Sequence, residues 1–178
     1  MELDWRGFEL HPETPAGGAR LDAMFPPEKL SGMAEYMKRF AAQFGIDDFQ
    51  QRERIPNTRR ALALAEVARD EGKHEAYRVR AMDAHWRDGM DLENDDDLTA
   101  IARDCGLSET AVERSRSSAI LARVDSAREE ANEIGVQGIP TFVINNLGLS
   151  GCQPYAMFEQ FANEAGVPPR DSRPDREV

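Results

Sequence analysis

Polar and apolar positions alternate at the start of the chain, from Leu3 to Trp5; the alternation slips at Gly7, resumes with Phe8 and Leu10, and stops at Pro12. A period of two with one slip predicts a bulged strand within residues 2–11. After the loop "ETPAGGARLDAMFPP" the period lengthens to that of a helix, with Met33, Tyr36, Met37, Phe40 and Phe44 on one face and Gly45 placed to end it. That stripe reads as core, although a mobile Met-rich face could also line a substrate groove.

Past Pro56, Asn57 or Thr58 can cap a helix whose Ala61, Leu62, Ala65 and Ala68 share one side and which runs to Gly72. The next helical stretch, "HEAYRVRAMDAHWRDG", carries Tyr77, Met82 and Trp86 as its bulk. The acidic "DLENDDDLTAIARDCG" follows, and then a long helix-forming run in which Ser108 and Thr110 are start signals. Residues 27–134 thus read as wholly helical. After Gly135 the period of two returns in "IPTFVI", and Asn145 with Asn146 suits a tight hairpin into "LGLSG". Pro154 opens a last helix with Met157, Phe158 and Phe161 inward and Gly166 at its end.

The order of strand, helices, strand, hairpin strand and helix predicts an α/β fold with a large helical insertion between its sheet-forming parts, 2–11 and 135–166. At 178 residues the expectation is one domain over 1–166, followed by a polar, proline-rich tail, 167–178, expected to be disordered.

A formal charge of −11, with no basic stripe interleaved with aromatics, argues against nucleic acid and anionic membranes as partners. No apolar run approaches the ~20 residues of a membrane-spanning helix, and a cytoplasmic location is expected. The two cysteines, Cys105 and Cys152, form no CxxC pair, which leaves no visible disulfide framework or zinc site.

Few residues stand out as candidates for chemistry. Pro140 precedes a strand, a position proline tolerates only at a strand's start or edge. Cys152 lies just ahead of the last helix, where a thiol can be activated, or it is a small semi-buried residue; Cys105 reads as packing. His11, His74 and His85 lack metal-ligand spacing, and "ENDDD" lacks the glycine and closing glutamate of a calcium loop, so no metal is expected and the acids read as a helix cap. Trp5 and Trp86 read as core residues.

The stretch "GVQGIPTFVINNLGLSGCQPYAMFEQF", together with "WRGFELHPETPAGG" and "PNTRRALALAEVARDEGKHEAYRVRAMDAHW", resembles the DsbA-like thioredoxin-fold oxidoreductases. Within that family it is similar to the FrnE-like branch and its relatives, the 2-hydroxychromene-2-carboxylate isomerases. The resemblance implies a DsbA-like thioredoxin fold in which Gly138, Ile139, Pro140 and Thr141 form the cis-proline loop that binds substrate. It also places Asn57 near the active-site cleft, although a helix N-cap explains that residue without a ligand. The family begins with a strand and a helix bearing CxxC, whereas this chain starts at what resembles the second strand. The expectation is therefore an N-terminally truncated chain with no catalytic residues of its own; a strand supplied by another chain and a reorganised sheet are the alternatives.

Three functions follow from the resemblance. The first is a thiol–disulfide oxidoreductase acting on protein or small-molecule disulfides and thiols, with no cofactor. The second is a glutathione-dependent isomerase, and the third is a non-catalytic thioredoxin-fold binding module. Unpaired sheet edges would make a homodimer available.

Overall fold

A run of alanines decides where the larger part of the molecule keeps its core. The computed structural model describes residues 3–167, which group into two compact units: Gly7–Glu129, and the described residues before Gly7 together with those from Glu130 on. In the larger unit the helix α3 (Arg59–Asp70) buries Ala61, Ala63, Leu64, Glu66, Val67 and Ala68, more than one face, because small side chains let neighbours close on several sides. The other elements of this unit are β1 (Ala19–Arg20), α1 (Leu21–Met24), α2 (Pro27–Ala42), β2 (Arg54–Ile55), α4 (His74–Trp86), α5 (Asp95–Asp104), α6 (Ala111–Arg114) and most of α7 (Ser118–Glu133). Leu64, Val67, Leu98, Ile101, Ala111 and Val124 join in one continuous apolar core.

Local chemistry sets the helix ends. Gly72, at φ 67°, turns the chain out of α3 while its N–H donates to Arg69 O at 3.1 Å and that of Lys73 to Ala68 O at 2.8 Å. At the start of α5, Asn94 Oδ1 accepts from the N–H groups of Asp96 and Asp97 at 2.8 and 3.1 Å, and three aspartates fill the first turn. Tyr77 of α4 is buried, and its hydroxyl donates to Ala61 O at 2.9 Å.

The smaller unit contains the last turn of α7, the antiparallel hairpin β3 (Thr141–Ile144) and β4 (Leu147–Ser150), and α8 (Tyr155–Glu164). Asn145, at φ 53°, occupies the two-residue turn as its sequence anticipated. Phe142 meets Trp5 and Phe158 edge to face, at 6.4 and 4.8 Å between ring centres.

Several expectations are corrected. No strand forms over residues 3–10: a strand exists only through pairing with a neighbour, and the described ladders join β1 to β2 and β3 to β4. At Gly7 an added Cβ would lie 2.8 Å from Leu62, so the slip in the pattern marks a close approach to α3. The helical middle is interrupted by β2, whose pairing with β1 is two residues long, too short to leave a period in the sequence.

The aromatic and methionine stripe of α2 is not core, since that helix buries none of its residues. On α4, Tyr77 and Ala84 point inward, whereas Met82 and Trp86, four residues apart, share the outer side. Trp5, Trp86 and Met157 are each more than a third exposed. Ser108 does not cap a helix: its N–H and hydroxyl both donate to the Glu71 carboxylate, at 2.8 and 2.7 Å. The tail predicted to be disordered lies, from residue 168 on, outside the described residues.

Candidate functional site

The loop that carries Pro140 is built by the hydrogen bonds at its two ends. Gly135, at φ 80°, ends α7, and the Val136 N–H donates back to Ala131 O at 2.9 Å. The Ile139–Pro140 peptide bond is cis. Thr141 Oγ1 donates to Gly138 O at 2.7 Å across Ile139 and Pro140 and lies 3.2 Å from Ser150 Oγ. The Gly151 N–H donates to Pro140 O at 2.8 Å.

Register then fixes which way the backbone points. Ile144 and Leu147 close a two-residue turn, so the even-numbered residues of β3 exchange hydrogen bonds with β4, and the bond into Pro140 O continues that series. The N–H and C=O groups of Thr141 and Val143 therefore point away from β4. Ile139 precedes them with its side chain 55% exposed. A sheet edge of this kind can pair with an extended chain. Beside it, an open depression of about 440 Å³ is lined by Ile134, Val136, Thr141, Val143, Asn146 and Ser150, among others.

Gly138, Ile139, Pro140 and Thr141 are thus consecutive parts of one braced loop. Cys152 follows Gly151 directly and is exposed, not the semi-buried filler that one reading made of it. Ser150 and Gly151, which brace the loop, were missed, although counting pairs back from Asn145–Asn146 would have set Ser150 opposite Thr141.

Asn57 belongs to the larger unit, and its side chain is engaged within the protein. Oδ1 accepts from the Arg59 N–H at 3.0 Å, and Nδ2 donates to Thr14 O at 2.7 Å. Thr58, the other capping candidate, makes no side-chain cap bond. The acidic stretch is used in the same way. Glu93 accepts from the N–H groups of Asn57 and Gly17 at 2.8 and 2.7 Å, Asp97 accepts from that of Asp91 at 2.7 Å, and Asp95 pairs with Arg60 and Arg116.

The remaining titratable groups are dispersed. His11 lies 3.1 Å from Glu13. His85 is buried, and its Nδ1 accepts from Arg52 at 3.2 Å; burial, with the Arg52 charge nearby, lowers its pKa to about 4. Burial raises the pKa of the Cys105 thiol. Among the described residues no three His, Cys, Asp or Glu side chains converge to hold a metal, and no helix is long and apolar enough to cross a membrane.

One buried polar cluster escaped the sequence reading. Glu9, 5% exposed, accepts from Arg59 at 3.1 Å and Arg128 at 2.9 Å, while Arg59 also holds both Asp125 oxygens at 2.8 and 2.9 Å. It ties the chain's start to α3 and α7 and leaves no open acid or base.

Comparison with known proteins places this architecture. The uncharacterized protein YwbO of Bacillus subtilis (strain 168) is 22% identical over 163 residues, covering 90% of this chain and 80% of its own length. The crystal structure of a probable DsbA oxidoreductase from Streptomyces coelicolor superposes with a TM-score of 0.77 at 23% identity, covering 97% of this chain and 77% of that one. The structural likeness shows a shared DsbA-like thioredoxin fold. The family model for the DSBA-like thioredoxin domain matches residues 1–163, and the chain belongs to that family.

Proposed function

We propose that this chain is the substrate-holding part of a FrnE-like, cytoplasmic thiol–disulfide oxidoreductase. In this reading residues 1–166 act as one thioredoxin-like domain with residues 27–134 as its helical insertion. An extended peptide pairs with the backbone at Ile139 and along the outward edge of β3, while Gly138, Pro140 and Thr141 hold that edge in place. The disulfide exchange itself belongs to a CxxC pair contributed from outside these 178 residues, since Cys105 and Cys152 are neither adjacent nor paired. The exposure of Ile139 beside a braced, outward-facing sheet edge, in a chain of this family, carries the proposal.

An insulin-reduction assay with dithiothreitol tests it. The 178-residue chain is expected to react at the background rate while still binding an unfolded peptide, and Ile139→Asp weakens that binding about tenfold or more. A longer reading frame with upstream CxxC codons is expected to turn over. Turnover by the 178-residue chain that disappears in Cys152→Ser would overturn the assignment of the chemistry to an outside pair. A serine in place of that pair, with a thermal shift on adding glutathione, would select the isomerase reading; peptide binding with no CxxC in the longer frame would select the non-catalytic module.

A further inference from the structure

The helix α2 presents an apolar stripe that the other described residues leave uncovered. Leu30, Met33, Met37 and Phe40 are spaced three, four and three residues apart, and Phe44 continues the series just past the helix end. That is the a/d spacing of a helix that packs along another helix. Ala34 and Ala41, seven residues apart, lie beside this seam, where small side chains let a partner backbone approach closely. Met33 and Met37 remain 39% and 37% exposed, Tyr36 and Phe44 59% and 57%, and no residue of α2 is buried. The principal neighbour of α2 is the short helix α1.

We propose that α2 is a self-association face, on which two copies of this chain pair their α2 helices antiparallel about a two-fold axis near Glu35.

Charge selects both the partner and the direction. The first half of the segment holds Glu28, Lys29 and Glu35, net negative, and the second half holds Lys38 and Arg39, net positive. An antiparallel pair lays each acidic half on the partner's basic half and opposes the helix dipoles; a parallel pair stacks like on like. Two copies of a chain carrying −11 repel elsewhere, whereas residues 27–44 are slightly basic, so this is where they approach at least cost. In this register Leu30 packs on the partner's Phe40 and Met33 on the partner's Met37. Tyr36 lies close to its own symmetry mate. A seam of one short helix per copy is a small interface, and its affinity belongs in the micromolar range.

Sedimentation equilibrium on the full chain, from about 1 μM to about 1 mM, is expected to show a reversible monomer–dimer equilibrium that tightens with added salt as the net charge is screened. Met37→Glu, which enters the interface twice, weakens dimerisation at least tenfold. Because Met37 lies outside the core, the circular dichroism spectrum should be unchanged. In a Cys152→Ser background, oxidised Tyr36→Cys gives a covalent dimer and Leu30→Cys does not. A chain monomeric across this range overturns the proposal and leaves the seam to a different protein. Preferential cross-linking through Leu30→Cys, or a dimer indifferent to Met37→Glu, overturns it as well.

Discussion

The two units solve the burial problem to different degrees. The larger one closes a continuous apolar core around α3, with Leu64, Val67, Leu98 and Ile101 fully or almost fully inside. In the smaller one Phe161 is the single buried residue among those described, and Ile139, Val143, Tyr155 and Met157 are left on the surface. A helix bundle is closed by neighbours within one stretch of chain, whereas a two-stranded hairpin with one helix has too few layers to seal both faces of its sheet. Stability is thus concentrated in the helical unit, and the exposed, recognisable surface belongs to the hairpin.

The sharpest way to break this contrast is a matched pair of truncations. Leu64→Ala is expected to cost about 2–5 kcal/mol in urea unfolding, against less than about 0.5 kcal/mol for the half-exposed Val143→Ala. Equal losses would show that the core is not where the contacts place it. Next in size is Glu9→Gln, which leaves Arg59 and Arg128 facing a neutral amide in a buried position. A loss of about 2–3 kcal/mol is expected, and a double-mutant cycle with Arg59→Met should return a clear coupling energy.

A pH titration of stability probes the same unit more gently. The pKa of His85 is lowered from 6.5 to about 4 by burial, so the unfolded chain takes up its proton first. Its contribution is complete above the unfolded pKa of 6.5 and is lost as the pH falls from there to about 4, a total of at most about 3 kcal/mol. Equilibrium unfolding between these limits should show this slope, and His85→Gln should flatten it. The smallest effect expected is that of Asn94→Ala, about 1 kcal/mol from the lost α5 cap.

How much of this was legible in the sequence depended on how far each signal reached. The hairpin was readable because Asn145–Asn146 and the flanking alternation are local, as were the glycine-ended helices; the acids of "ENDDD" did mark a helix start, but the capping side chain among them is Asn94, which was not singled out. The proposed strand over residues 3–10 failed because alternation describes a residue's faces but not the presence of a strand alongside. Met33 and Met37 failed for a related reason: helical spacing tells that a face is apolar, not that the same chain covers it. Glu9 could not have been found, because its partners Arg59 and Arg128 lie 50 and 119 residues further along. The four residues of the Pro140 loop were named in advance, but their bracing by Gly151 and Ser150 required the hairpin register.

The bond from Tyr77 to Ala61 gives the larger unit an optical signature. Burial raises the ionisation of this phenol well above that of an exposed tyrosine, and Tyr36 and Tyr155, both on the surface, complete the set of three. On alkaline titration the Tyr77 phenolate should therefore appear in the ultraviolet only when the helices around Leu64 come apart. The onset of that absorbance step times the opening of the core without any added label.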